Sequence, residues 1–210
     1  MNKGPEDVSR RNFVKTAAVG AGAVAGLMIP SKLLSDGQLV EETRPVMPPG
    51  AISLHHFTAK CTACQLCVSS CPTHVLQPSF FEYGMSGVFQ PKMDFTRSFC
   101  KYDCRRCMEV CPTGAIHKLN LSEKQMTRIG LAVFEKNLCL VAAEQKPCAK
   151  CAEHCPVKAI ELLPYLGDLK LPKVHENLCN GCGACEYYCP VRPDRAISVE
   201  AYPVQMKMFN

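Results

Sequence analysis

Apolar positions along this chain fall in short runs rather than along extended periodic faces. One run stands apart near the N-terminus, where the small and apolar residues 16–29 follow Ser9-Arg10-Arg11-Asn12-Phe13-Val14-Lys15. From Ala51 onward the runs are three or four residues long, apolar or alternating, and bounded by glycine, proline or polar residues, which is the signature of short strands. Four of them precede a group of cysteines: Ala51-Ile52-Ser53-Leu54, Val88-Phe89-Gln90, Leu131-Ala132-Val133-Phe134 and Leu171-Pro172-Lys173-Val174. Four more follow one: His74-Val75-Leu76, Ala115-Ile116-His117, Ala159-Ile160-Glu161-Leu162 and Ala196-Ile197-Ser198-Val199. The pattern predicts a unit of strand, cysteine loop, short helix and strand, repeated four times at a spacing of about 40 residues.

The cysteine groups carry the chemistry. Cys179, Cys182, Cys185 and Cys189, followed by Pro190, have the spacing C-x2-C-x2-C-x3-C-P. That run holds a [4Fe–4S] cube by thiolates, three from one tight loop, while the fourth reaches the neighbouring cube in two-cluster ferredoxins. Cys61, Cys64, Cys67 and Cys71, with Pro72, repeat the spacing. Cys100, Cys104, Cys107 and Cys111, with Pro112, add one residue to the first gap, and Cys139, Cys148, Cys151 and Cys155, with Pro156, lengthen it to eight. All 16 cysteines fall into these quartets. The expected cofactors are four [4Fe–4S] clusters with these sixteen residues as ligands to iron.

Other uses of cysteine fit poorly. Zinc ribbons bring two well-separated C-x2-C pairs to one tetrahedral ion, not four tight quartets ending in Cys-Pro. Cysteines two or three residues apart on one turn lack the Cα separation and Cβ direction that a disulfide needs. Attachment of c-type haem requires C-x-x-C-H, and no such pair here is followed by histidine.

The fold class expected is α+β, with the four units combining into two ferredoxin-like domains of two clusters each. Two pairings are open. A sequential scheme joins units one with two and three with four. A nested scheme joins one with four and two with three, and is favoured because the regular quartets are the outer two. Under nesting, Cys189 completes the set Cys61, Cys64 and Cys67, while Cys71 completes Cys179, Cys182 and Cys185.

Composition and charge narrow the function. The chain has 210 residues, 7% aromatic and no tryptophan, so much of its interior would be iron and sulfide, and the cluster-free chain should be largely unfolded. The formal charge of +5 counts cysteines as neutral, whereas each oxidised cluster with its thiolates brings about −2. The loaded protein is then mildly acidic, and nucleic acid is not an expected partner. No nucleotide fingerprint, nucleophile elbow or H-E-x-x-H occurs, so an electron carrier is expected and not an enzyme. The six histidines (His55, His56, His74, His117, His154 and His175) have no metal-binding spacing, and His55-His56 reads as a surface pair. Lys101, Arg105 and Arg106 flank the second quartet and Lys146 and Lys150 the third, while Glu186 lies within the fourth. Positive charge favours the reduced cluster, so the inner two clusters are expected at higher potential than the outer two.

Residues 1–30 read as a targeting segment, 31–50 as a proline-bearing linker, and 51–210 as the four-cluster body. Ser9-Arg10-Arg11-x-Phe13-Val14-Lys15 matches the twin-arginine consensus, and the apolar run behind it is shorter than the ~20 residues of a membrane-spanning helix. Export of the folded, loaded protein to the periplasm follows as an expectation. No A-x-A cleavage motif follows the run, which leaves membrane association through an uncleaved signal open.

The layout resembles the MauM/NapG ferredoxin-type family. The resemblance rests on the signal motif, Arg44-Pro45 and Pro48-Pro49-Gly50-Ala51 before the first quartet, and Gly130-Leu131-Ala132-Val133 before the third. The long gap from Cys139 to Cys148, and Leu171-Pro172-Lys173-Val174-His175 before the last quartet, complete it. It implies an exported iron–sulfur relay. A membrane quinol-oxidising iron–sulfur protein would be the donor, and a periplasmic reductase or cytochrome the acceptor. An accessory maturation factor, or a structural iron–sulfur subunit of a periplasmic metalloenzyme, is the alternative.

Overall fold

The computed structural model of the protein describes residues 44–207. The targeting segment and most of the linker lie outside them. Helix α1 (Leu54–Lys60) opens the described body. It occupies the end of the expected strand Ala51–Leu54, because Ile52 turns into the left-handed region at φ 65° and Ser53 caps the helix, its hydroxyl accepting from the His56 amide at 3.2 Å. A side-chain acceptor for an otherwise orphaned amide is what starts a helix there. Helix α2 (Leu66–Ser69) follows, then strand β1 (Leu76–Pro78), which pairs antiparallel with β2 (Pro91–Met93). The expected strand Val88–Gln90 is instead a turn, with Phe89 at φ 65°, and the pairing begins one residue later.

Helix α3 (Arg106–Val110) and helix α4 (Leu121–Gln125) come next. Between them Ala115–His117 forms no named strand, although the His117 amide donates to the Gly50 carbonyl at 2.8 Å. Asn120 and Glu123 make a reciprocal capping box on α4, satisfying two free amides at once. Strand β3 (Thr127–Phe134) pairs antiparallel with the last strand, β6 (Ile197–Lys207), with a register break between Arg128 and Gly130. Between these two strands lie helices α5 (Leu140–Ala143), α6 (Lys150–Glu153) and α7 (Ala184–Tyr188), and the hairpin of β4 (Ile160–Pro164) with β5 (Lys170–Val174).

Every sheet among the described residues has two strands, and an isolated two-stranded hairpin is marginal in water. The buried side chains form two groups. The first gathers Met47, Phe57, Val75, Leu76, Met93, Phe95, Met108 and Ile116 around Cys67 and Cys71. In the second, five of the eleven buried members are cysteines (Cys139, Cys155, Cys179, Cys185 and Cys189), and the largest aliphatic ones are Val141, Ile160 and Ile197. Hydrophobic burial alone is thin there.

The two groups are stitched together by backbone. The Cys100 amide donates to the Cys182 carbonyl at 2.9 Å, and Ile129 to Asn180 at 3.1 Å. At the far end of β6, Ser53 bridges to Val204, and the Gln205 side chain donates to the Pro48 carbonyl at 2.8 Å. Gly181 marks the closest approach. It sits at φ 75°, and a Cβ there would lie 2.5 Å from the Gly130 backbone, which is itself pressed against the Glu200 carbonyl. Backbone cannot yield as a side chain can. The variant Gly181→Ala should therefore lose at least about 3 kcal/mol, through left-handed strain plus overpacking. Gly167→Ala, at φ 55° with no neighbour within 4 Å, should lose only about 1 kcal/mol. Thermal unfolding followed by circular dichroism compares them, and equal midpoints would contradict the stacking.

Candidate metal centres

Each quartet is built in the same way. The third cysteine lies on a short helix, Cys67 on α2, Cys107 on α3, Cys151 on α6 and Cys185 on α7. The fourth lies at or just past that helix's end, Cys111 and Cys189 being the C-terminal caps of α3 and α7. Helix α2 packs on α3, and α6 on α7, so each fourth cysteine is carried across to the other quartet of its pair.

Four cavities result. Cys61, Cys64 and Cys67 line one together with Cys111. Cys71 lines the next with Cys100, Cys104 and Cys107. In the second half Cys189 joins Cys139, Cys148 and Cys151, and Cys155 joins Cys179, Cys182 and Cys185. Exchange of the fourth cysteine is thus present, but between sequential quartets. The nested pairing is incorrect: Cys189 does not meet Cys61, and Cys71 does not meet Cys179. The reason is chain length. The β1–β2 and β4–β5 hairpins connect consecutive quartets through short closed loops, which cost less chain entropy than pairing across the whole body. The first and last units still meet, through Ser53 with Val204 and Gln205 with Ile52 and Pro48. The first half of the eight-residue gap after Cys139 is α5, whose N-terminal cap is Cys139 itself.

All sixteen cysteines are free of disulfides. Among the described residues no three His, Cys, Asp or Glu side chains converge closely enough to hold a single metal ion. Four cysteines lining each cavity are the ligand set of a multi-iron cube. The electrostatics agree. Burial, then the neighbouring Cys61 and Cys64, pushes the Cys67 thiol up to about 12. Burial likewise takes Cys151 and Cys182 up to about 12 and also pushes Cys107 and Cys185 up. Cys71 and Cys111 go the other way: burial opposes ionisation, but the amides after Cys-Pro outweigh it. The Ile116 amide donates to Cys111 Sγ at 3.4 Å, and that of Ala159 to Cys155 Sγ at 3.3 Å. Thiolates packed this closely need a cation between them.

Comparison with known proteins agrees with the geometry. The model of the 4Fe-4S dicluster domain matches residues 60–115 and 146–192, one match in each half. The ferredoxin-type protein NapG of Haemophilus influenzae is 30% identical over 95% of this chain and 74% of its own length. The family is therefore decided. This chain belongs to the NapG/MauM ferredoxin-type proteins. Its relatives include the methylamine utilization ferredoxin-type protein MauM of Methylorubrum extorquens, 27% identical over 88% of this chain and 86% of that one. Another is the ferredoxin-type protein NapF of Escherichia coli K12, 28% identical over 74% and 86%. Like them, this ferredoxin-type chain is a 4Fe–4S electron carrier and not itself an enzyme.

The charges legible in the sequence do less than their positions suggest. Arg105 and Arg106 both face Glu109, at 3.8 and 3.4 Å, Lys146 faces Glu144 at 2.7 Å, and Lys150 faces Glu153 at 3.4 Å. These pairs lie at the surface, where such interactions are weak and screened. His56 is more constrained than a surface pair implies, with Nδ1 3.1 Å from the Ala51 carbonyl and its ring 5.0 Å from that of His117. The residue missed altogether is Lys124, in the polar stretch Leu121–Gln125, which is buried beside the second cysteine loop. Nothing in its neighbours along the chain marks it.

Exchange of the fourth cysteine makes a sharp prediction. Cys111→Ser and Cys64→Ser should perturb one and the same electron paramagnetic resonance (EPR) signal in the iron-loaded protein, and Cys104→Ser a different one. If Cys111→Ser instead alters the signal that Cys104→Ser alters, each quartet keeps its own fourth cysteine and the pairing fails.

Proposed function

We propose that this protein is an exported relay holding four [4Fe–4S] clusters, in two ferredoxin-like domains built from residues 51–210. All sixteen cysteines serve as ligands, in the four sets that line the cavities. The observation carrying the reading is the repeated exchange of a fourth cysteine between paired quartets, which is the ligand scheme of two-cluster ferredoxins. When bound, each cluster supplies a reversible one-electron couple. The chain does the rest. It holds the thiolates, excludes water with Phe57, Met108 and Val141, and directs amides at Cys111 and Cys155.

Export rests on Ser9-Arg10-Arg11-Asn12-Phe13 and on chemical order: clusters are assembled in a reducing compartment, so the loaded protein must cross folded, as the twin-arginine route allows. No helix among the described residues is long and apolar enough to cross a membrane. The donor in this reading is a membrane quinol-oxidising iron–sulfur protein, and the acceptor a periplasmic reductase or cytochrome, by analogy with NapG and MauM.

Two measurements test it. Anaerobically loaded protein should contain about sixteen irons per chain with matching labile sulfide. Eight or fewer in a fully folded sample would reject the four-cluster reading. Changing Arg10 and Arg11 together to lysine should leave the iron-loaded protein in the cytoplasmic fraction, where the unaltered chain is recovered from the periplasm. Equal distribution would reject export by this route.

A further inference from the structure

Lys124 differs from every other cation near the cysteine loops. It is 4% exposed and, among the described residues, the one charged side chain that is buried. Its Nζ donates to the carbonyls of Lys101 and Tyr102, the latter at 3.0 Å. Those two peptides lie inside the second quartet, between Cys100 and Cys104. Both hydrogen-bond partners of Nζ are neutral carbonyls. Among the described residues no carboxylate pairs with it, in contrast to Arg105, Arg106, Lys146 and Lys150. The lysine is also held firmly. Its helix is capped by Asn120, whose Oδ1 accepts from the Glu123 amide at 2.8 Å, and closed by the Thr127 hydroxyl donating to the Glu123 carbonyl at 2.7 Å.

We infer that Lys124 is a positioning residue that raises the reduction potential of the group held by Cys71, Cys100, Cys104 and Cys107, setting it above the other three. The inference rests on the cluster reading proposed above. Reduction adds one negative charge to that group. A fixed, unpaired cation in a medium of low dielectric stabilises the added charge far more than a solvated surface pair can. No buried lysine or arginine adjoins the other three cavities among the described residues. The placement has a second consequence. The loop that Lys124 grips is the one bonded, through the Cys100 amide and the Cys182 carbonyl, to the other half of the molecule. The favoured site thus stands at the junction of the two halves.

The test is an EPR-monitored redox titration of the full iron-loaded chain, with dithionite supplying electrons, on Lys124→Gln and Lys124→Arg. Glutamine keeps a donor for the carbonyls and removes the charge, while arginine keeps the charge. At the potential where the unaltered centre is half reduced, Lys124→Gln should raise the oxidised-to-reduced ratio of one couple about tenfold, a lowering of about 59 mV for a one-electron couple. That couple should be the one whose signal Cys104→Ser alters, the other three should stay in place, and Lys124→Arg should stay near the unaltered value. Four unmoved couples in Lys124→Gln, a common shift of all four, or an equal drop in Lys124→Arg would overturn the inference. So would loss of iron from Lys124→Gln, which would make the lysine a structural residue. A shortfall of iron in the unaltered chain would instead count against the four-cluster reading, a failure distinct from these.

Discussion

Sixteen thiols drawn into four groups of four around shared cavities is the constraint on which this structure turns. Burial first, and neighbouring cysteines after it, push the Cys67, Cys107, Cys151, Cys182 and Cys185 thiols up. In their thiolate form, cysteines so placed need a cation in the space between them. Iron and sulfide convert that liability into binding energy, and in a body of two-stranded sheets and helices of four to seven residues the binding energy is folding energy. The short elements follow from this. Each need only hold a loop at the rim of a cavity, and none has to bury a broad apolar face.

The helix pairs α2–α3 and α6–α7 show how local structure sets ligand exchange. One short helix after the third cysteine reverses the chain enough to deliver the fourth to its neighbour's cavity. The two hairpins keep consecutive quartets opposed. Backbone stacking of Gly181 on Gly130, and of Gly130 on Glu200, then draws the second cysteine-lined group onto the long β3–β6 ribbon. Ribbon, hairpins and helices are all subordinate to the spacing of the cavities.

Much of this was legible in the sequence, and for identifiable reasons. Ligand chemistry depends on spacing along a tight loop, so the quartets could be read from the chain alone. Of the strands expected around the second half, Leu131–Phe134 and Leu171–Val174 lie within β3 and β5, and Ala159–Leu162 and Ala196–Val199 enter β4 and β6 one residue late. The first half was harder. At Ile52 and Phe89 apolar residues adopt left-handed turns, a conformation that composition does not announce, and a serine cap turned one expected strand into the start of α1. Pairing of quartets went astray because regularity of spacing was taken as a guide where loop length decides. Lys124 was invisible because burial of a lysine depends on carbonyls about twenty residues away in the chain, which no local pattern records.

Removal of the metal tests the central claim most directly. Anaerobic chelation and oxidation of the iron-loaded protein, followed by far-ultraviolet circular dichroism and hydrogen exchange, should abolish the β3–β6 ribbon signal and leave amides across residues 51–207 unprotected, with recovery on reloading iron and sulfide. A metal-free, disulfide-free chain that keeps its ordered ribbon and slow-exchanging amides would show that the polypeptide folds on its own, and would contradict the account.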